Sequence, residues 1–293
     1  MKNFLAYNKS MFLLIPATAF LLIVFVYPFL YGFFLSFSPD PIINEQGVEE
    51  AAGWLYNYKY FFSRTDMWPT VLVTLKLSLP VTIFNVLLSL PIAFALRIKT
   101  RYQKAVTTIL VIPITLGTVL IAEGMLMYFG PKGWFIQALS LFGLGDLLLV
   151  HNATGVIISL VISGFPFIFL LVLSYITGID PGLPRAAATL GASPWQQFRH
   201  VYLPLLTPGI AMAFCLAFVQ AYSVFPSAIL LGNPSGSTRV ISIAAYEAAF
   251  EQYNYPLGST VAMIMGFVQL IVVAAVLKLR GLFYRGPITG GKG

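Results

Sequence analysis

Six long runs of apolar residues divide the chain. They lie at about 11–37, 70–96, 105–129, 152–176, 206–230 and 257–280. Each run is close to, or longer than, the roughly 20 residues that an α-helix needs to cross the hydrocarbon core of a bilayer. The first run is about twice as long as the apolar part of a signal peptide, and no small-residue cleavage site follows it. The pattern therefore predicts six transmembrane helices, the first of which is retained.

The composition supports a membrane protein and excludes a soluble domain. Hydrophobic residues make up 58% of the chain, charged residues only 9%, and the mean hydropathy is +0.86. A soluble domain needs about 25% charged residues to cover its surface. We therefore expect an all-α integral membrane protein with one transmembrane domain over 1–293. Its predicted parts are an N-terminal helix at 11–37, core helices within 70–280 and a cytoplasmic loop at 180–205.

The distribution of basic residues predicts the orientation in the membrane. With the N-terminus inside, the cytoplasmic segments contain Lys2, Lys9, Arg97, Lys99, Arg101, Lys104, Arg185, Arg199, Lys278, Arg280, Arg285 and Lys292. The outer segments contain only Lys59, Arg64, Lys132 and Arg239. Because cytoplasmic loops are enriched in Lys and Arg, both termini are predicted to be cytoplasmic. This asymmetry also accounts for the net charge of +7, so the bilayer and not nucleic acid is the expected partner of the basic residues.

A polar, proline-punctuated island of about 30 residues, 180–210, interrupts the apolar sequence on the cytoplasmic side. Pro184 suits the first position of a short helix, and Gly191 suits its left-handed C-terminal cap. Ser193 and Gln196 have the spacing of a capping box that starts a second helix. That helix is expected to stop before Pro204, because proline disrupts a helix interior. The island is therefore predicted to form two short helices that meet at a corner.

The corner is expected to expose an apolar ridge with few charges. Its members are Ala186, Ala187, Leu190, Trp195 and Phe198. A ridge of this kind on a cytoplasmic loop indicates a docking surface for another protein.

The island resembles the EAA loop of type I ABC-importer permeases. The shared run is AA-xx-LGAS-xxxx-F-xx-V-x-LP-xxx-PGI, and it extends without a gap from Ala186 to Ile210. The resemblance implies the fold of those permeases and a coupling helix that seats in a cleft of a cytoplasmic ATPase. The implied coupling residues are Arg185, Ala186, Ala187, Leu190, Gly191, Ala192, Ser193, Trp195 and Phe198. Arg185 departs from the family, which has a glutamate at that position.

The same resemblance implies the cofactors, the protein partners and the solute class of this chain. It implies a permease subunit that is not an enzyme and has no cofactor of its own, with ATP and magnesium bound by two separate ATPase subunits. It further implies an external solute-binding protein and a second, homologous permease, since the polyamine-type branch uses heterodimers. Short elements that resemble this branch are Val111–Pro113, the Gly130-Pro131-x-Gly133 turn, Ile179–Pro181 and Tyr255–Gly258. A polyamine-type solute is thus the favoured expectation.

Two ionisable residues fall within the predicted spans. Lys76 and Glu123 each lie six residues below the outer end of a span, about 9 Å deep at 1.5 Å per residue. Intramembrane charges usually pair with each other or face a polar path. The pair therefore favours either a structural ion pair between two spans or an entry vestibule that includes Glu123. A third possibility is that Lys76 extends to the outer headgroups.

Several uncharged polar residues lie nearer the middle of the membrane. They are Asn85, Gln220, Tyr222, Ser223 and Gln269. Such side chains often form hydrogen bonds between helices, so one interpretation is that they stabilise the packing of the helices. The alternative is a solute path, which we place first at Gln220, Tyr222 and Ser223 because they follow the island on the same span.

Other chemistry is poorly supported by the sequence. Gly286–Gly293 fits the start of a P-loop, but Gly293 stands where Ser or Thr must bind magnesium. Cys215 is the single cysteine, so no cysteine-based metal site is expected. The remaining alternative to an ABC permease is a secondary transporter or channel that uses Glu123 and needs no ATPase.

Overall fold

A computed structural model describes residues 15–39, 42–43, 49–50, 53–98, 102–141, 143 and 149–283. The first predicted span begins before these residues, at position 11, and the glycine-rich tail lies outside them. In the described residues, six helices are long and apolar enough to cross a membrane. The predicted fold class is thereby confirmed.

The helices follow the apolar pattern closely. The spans are α1 (Ile15–Ser36), α3 (Pro69–Ala95), α4 (Gln103–Phe129), α6 (Ala153–Thr177), α8 (Pro194–Tyr222) and α11 (Tyr255–Phe283). Shorter helices are α2 (Tyr56–Ser63), α5 (Trp134–Ser140), α7 (Gly182–Thr189), α9 (Pro226–Leu231) and α10 (Ile241–Tyr246). A two-residue antiparallel pair, β1 (Ile42–Ile43) with β2 (Glu49–Glu50), lies in the outer segment after α1.

The chain divides into two compact units. One consists of Met1–Trp68 and Ala244–Met265, and the other of Pro69–Ile243 and Gly266–Gly293. In the first unit, Thr260 donates a hydrogen bond to the carbonyl oxygen of Ser36, at 3.0 Å. The Ser36 hydroxyl lies 2.9 Å from the Tyr58 hydroxyl. These bonds connect α1, α2 and α11 within that unit.

The second unit packs α3, α6 and α8 closely together, with α4 against α6. Half of the most apolar window of α6 is buried, compared with 11% for the α4 span. Glycines allow the helices to approach closely, as is usual in membranes. Gly164 of α6 lies against the side chain of Asn85, and Gly209 of α8 lies under the ring of Tyr175.

Two apolar clusters fill this second unit. One surrounds Leu77, Val156 and Leu231, and the other surrounds Phe169, Ile176 and Leu206. Both clusters include residues of α3, α6 and α8, so these three helices form the packed frame on which the candidate site is built.

One transmembrane helix is interrupted. At Gly117, within α4, the backbone has φ 69° and ψ 163°, values that do not belong to a helix. Glycine accepts a positive φ at little steric cost. Pro113 lies one turn earlier and lacks an amide hydrogen, so the carbonyl of Ile109 loses its usual helical donor. Together they break α4 near mid-membrane.

Candidate functional site: a cytoplasmic corner and a polar cavity

The cytoplasmic corner, defined here as Arg185–Phe198, has the local geometry that its sequence predicts. Gly191 has φ 85°. Its amide donates to the carbonyl of Ala188 at 2.9 Å, and the amide of Ala192 donates to the carbonyl of Ala187 at 3.0 Å. This pair of bonds is a Schellman motif, which ends α7 at a fixed angle.

The next helix begins with the predicted capping box. The amide of Gln196 donates to the Ser193 hydroxyl at 3.3 Å, and the amide of Ser193 donates to the Gln196 side chain at 2.7 Å. Both helix ends that meet at the corner are therefore capped by residues of the corner itself. The start of α7 differs from expectation: it begins at Gly182, and Pro184 is its third residue.

The predicted end of the second helix before Pro204 is wrong. The helix continues from Pro194 to Tyr222, and a wider π-helical turn occupies Phe198–Tyr202 immediately before the proline. A π-turn changes the hydrogen-bond register, and this accommodates the missing amide hydrogen and the bulk of the ring. The second helix of the corner and the transmembrane part of α8 are therefore one continuous helix.

The expected apolar ridge is present. Leu190 is 88% exposed and Trp195 is 65% exposed. Arg185 and Ala186 are exposed, whereas Ala187 and Phe198 are half-buried. The residues predicted to couple thus lie on a surface with large uncovered apolar side chains.

An aromatic anchor holds the corner to α3. We define it as Phe94, Arg97, Phe198 and Tyr202. The Phe94 ring makes edge-to-face contacts with Phe198 and Tyr202, with centroids 5.2 Å and 5.0 Å apart. The Arg97 guanidinium lies 3.7 Å from the centroid of Phe94 and 5.4 Å from that of Tyr202.

The anchor also reaches the exposed ridge, because Trp195 stacks on Phe198 with centroids 5.6 Å apart. Sequence analysis did not find the anchor. Phe198 and Tyr202, four residues apart, share a helix face and were a usable signal. Their partner Phe94 lies about 100 residues away in the sequence, and only the packing of α3 against α8 brings it near.

A polar cavity opens between α3, α4, α6 and α8. The cavity itself holds about 80 Å³ and opens into a larger space, about 430 Å³ in all, that continues to the outside. Its lining residues are Val81, Asn85, Thr118, Leu160, Ser163, Gly164, Ala217, Gln220, Ala221, Ser223, Val224, Phe225, Pro226 and Ser227. The structure therefore brings together three residues predicted for the solute path, Asn85, Gln220 and Ser223.

The other three predicted path residues lie elsewhere. Tyr222 is fully buried, and its hydroxyl has no hydrogen-bond partner in the described part of the chain. Lys76 and Glu123 are both exposed and do not line the cavity. The expected ion pair between them is absent: over the described ranges, the salt bridge that forms joins Arg64 and Asp66.

Six transmembrane helices, a capped cytoplasmic corner and a polar cavity define this protein as a membrane permease. Residues 85–280 match the sequence profile of the binding-protein-dependent transport system inner membrane component. The chain belongs to this family. It is a multi-pass inner-membrane protein and an ABC-importer permease of binding-protein-dependent transport.

Similar proteins transport different solutes. The chain is 25% identical over 290 residues to a trehalose transport system permease of Mycobacterium tuberculosis, covering 98% of this chain and 94% of that protein. It is 28% identical over 283 residues to a trehalose/maltose permease of Thermococcus litoralis, covering 93% of each. It is 27% identical over 218 residues to a sulfate permease of Escherichia coli, covering 73% of this chain and 76% of that protein.

Solved structures agree on the fold. A chain of a bacterial ABC transporter for the acidic polysaccharide alginate superposes with a TM-score of 0.77 at 22% identity, covering 96% of this chain and 98% of that chain. A chain of the MetNI methionine ABC transporter superposes with a TM-score of 0.61 at 18% identity, covering 78% and 98%. The expected polyamine-type branch is not supported by these relatives, which are named for sugars or sulfate.

Proposed function

We propose that this chain forms one half of the solute path of an ATP-driven importer and is moved by ATPase subunits that dock on the cytoplasmic corner. The observation that carries the proposal is the continuity of α8. Its exposed Trp195 and its cavity residue Gln220 belong to the same helix, Pro194–Tyr222. At 1.5 Å per residue they are separated by about 37 Å. A displacement of the corner therefore reaches the cavity wall through one rigid element.

The aromatic anchor extends this movement to a second wall. Phe94 lies on α3, which also carries Asn85, nine residues away and about 14 Å along the helix. Each aromatic contact contributes about 0.5–1.5 kcal/mol, and a cation over a ring contributes a similar amount. The anchor thus ties α3 to α8, so that both walls of the cavity respond to the corner together.

The proposed partners follow from this arrangement. Two ATPase subunits would bind ATP and magnesium, one at this corner and one at the corner of a second, homologous permease. An external binding protein would deliver a small polar solute. A related structure, that of the alginate transporter, is in complex with a pentasaccharide-bound periplasmic protein. This complex supports the proposal that an external binding protein delivers the solute.

Glu123 and Lys76 retain a candidate role at the outer part of the path. A charged side chain at membrane depth is costly when it faces lipid, so the exposed position of Glu123 fits a surface covered by the second permease. No observation favours the alternative of an ATPase-independent transporter, because Glu123 does not line the polar cavity and forms no ion pair among the described residues.

The first test is purification of the protein from its native membrane in mild detergent, with the bound proteins identified by mass. We expect ATPase subunits and a second permease to co-purify, and flux in liposomes to require ATP. Purification of this chain alone, together with solute flux in the absence of ATP, would contradict the proposal. In that case Glu123 becomes the first residue to mutate.

A charge reversal tests the contact at Arg185. The Arg185→Glu variant is expected to retain near-normal ATPase docking and transport. Arg185 is exposed in the first half of α7, and a negative charge near a helix N-terminus is mildly favourable. ATPase retention on the purified permease measures the effect, with Arg199→Glu as the matched control. Loss of docking in a correctly inserted Arg185→Glu variant would show that the ATPase presents an acidic site to Arg185.

A further inference from the structure

We infer that the polar cavity binds a neutral, polyhydroxylated solute, and that Asn85 is its principal recognition residue. This inference rests on the proposed function and specifies the class of solute that the path accepts. Three observations support the inference: the absence of charged residues from the cavity lining, the amide oxygen of Asn85 without a hydrogen-bond partner among the described residues, and the break in α4.

The lining is uncharged. Every one of the 14 residues around the cavity is apolar, a hydroxyl residue or an amide. An ion that leaves water for such a site loses much of its hydration energy, and without an opposite charge that cost is not recovered. Binding a polyamine would require carboxylates in the lining. Binding sulfate would require cationic side chains or several N–H donors. Neutral hydroxyls pair instead with amide and hydroxyl groups of the kind that line this cavity.

Asn85 provides an acceptor that the folded chain leaves unused. Its side chain is only 2% exposed. Its amide oxygen has no hydrogen-bond partner among the described residues. A buried acceptor without a donor costs about 1–3 kcal/mol, so such a group is usually retained for a reason other than stability. That oxygen has almost no accessible surface, so the amide must turn toward the cavity before a solute hydroxyl can supply the missing donor.

The neighbouring glycine keeps this amide in place. A Cβ added to Gly164 would lie 2.8 Å from Nδ2 and 3.8 Å from Cγ of Asn85, and 3.6 Å from Oε1 of Gln220. A side chain at that position would therefore push the Asn85 amide aside. Gly164 brings α6 close to α3 while leaving the two amides beside the same cavity.

The break at Gly117 contributes further polar groups. Thr118, the next residue, lines the same cavity as Asn85 and Gln220 but lies on a different helix, α4. Interrupted backbone is tolerated at membrane depth where it lines a cavity, because a helix with unsatisfied polar groups cannot face lipid. Hydroxyl and amide groups on α3, α4, α6 and α8 thus surround the cavity, which suits a ligand with several hydroxyls.

The test is equilibrium binding of radiolabelled trehalose, spermidine and sulfate, each at millimolar concentration, to the purified complex without its binding protein. We expect trehalose to bind and the two ions not to bind. Asn85→Leu should weaken trehalose binding about tenfold, equivalent to about 1.4 kcal/mol. Gln220→Met and Thr118→Val provide second variants, since Asn85→Leu changes a buried position.

Asn57→Leu is the matched control, because Asn57 is also a buried amide with an unpartnered atom but lies on α2, which contributes no residue to the lining of the cavity. It should leave binding unchanged. Preferential binding of spermidine or sulfate, no binding of trehalose, or equal binding by all the cavity variants would overturn the inference. Failure of the proposed function has a different signature, namely a chain that purifies without ATPase subunits and conducts solute without ATP.

Discussion

Replacing Gly191 by valine should disconnect ATP hydrolysis from transport while the protein still inserts into the membrane. Gly191 has φ 85°, a conformation that costs an ordinary residue about 1–2 kcal/mol and a β-branched residue more. A cost of about 2 kcal/mol lowers the population of the capped corner roughly 30-fold. We therefore expect ATPase subunits to be lost from the permease during purification and binding-protein-stimulated ATP hydrolysis to fall by a similar factor.

The matched control for this variant is Gly281→Val. Gly281 lies at the cytoplasmic end of α11, has no positive φ, and has open space where a Cβ would be added. It should behave like the unchanged protein, and Gly191→Ala should give an intermediate result. Full ATPase retention and full stimulation in the Gly191→Val complex would show that the corner does not couple the subunits.

Phe94→Leu should produce a different defect, in which the ATPase still docks but its hydrolysis no longer drives transport. The substitution removes two edge-to-face ring contacts and the ring beneath Arg97, an expected loss of about 2–3 kcal/mol in the connection between α3 and α8. The caps of the corner and its exposed side chains Leu190 and Trp195 are unchanged, so ATPase retention should stay normal. Uptake per ATP hydrolysed should fall at least tenfold.

Phe84→Leu controls for the loss of a ring on the same helix. Phe84 is 54% exposed and makes no ring contact with another aromatic side chain among the described residues. Arg97→Gln should weaken coupling less than Phe94→Leu, because it leaves the ring contacts in place. A Phe94→Leu complex with an unchanged ratio of uptake to hydrolysis would refute the role of the aromatic anchor.

The local features of the corner were accessible from sequence because they depend on neighbouring residues. The left-handed cap at Gly191 and the capping box of Ser193 with Gln196 involve residues within a few positions of each other. The continuation of α8 through Pro204 was missed. The proline itself is a local feature, but the π-turn that accommodates it lies where Phe198 and Tyr202 pack against Phe94, a residue distant in the sequence.

The membrane residues divide in the same way. Their depth follows from counting along a span, and three of them, Asn85, Gln220 and Ser223, line one cavity. Depth does not determine which neighbouring helix or cavity each side chain points toward, because that depends on the rotation of each helix about its axis. Lys76 and Glu123 share a depth, yet no ion pair joins them within the described residues.

The sequence by itself determined the six spans, the predicted orientation and the capped corner, because hydrophobic length, charge distribution and capping act over at most one helix or loop. Only the tertiary structure decided which side chains share a cavity and how the corner is attached. Helix rotation, the close approaches at Gly164 and Gly209, and the contact of Phe94 with α8 all depend on shape complementarity between distant segments. That complementarity is set by packing, which no local pattern encodes.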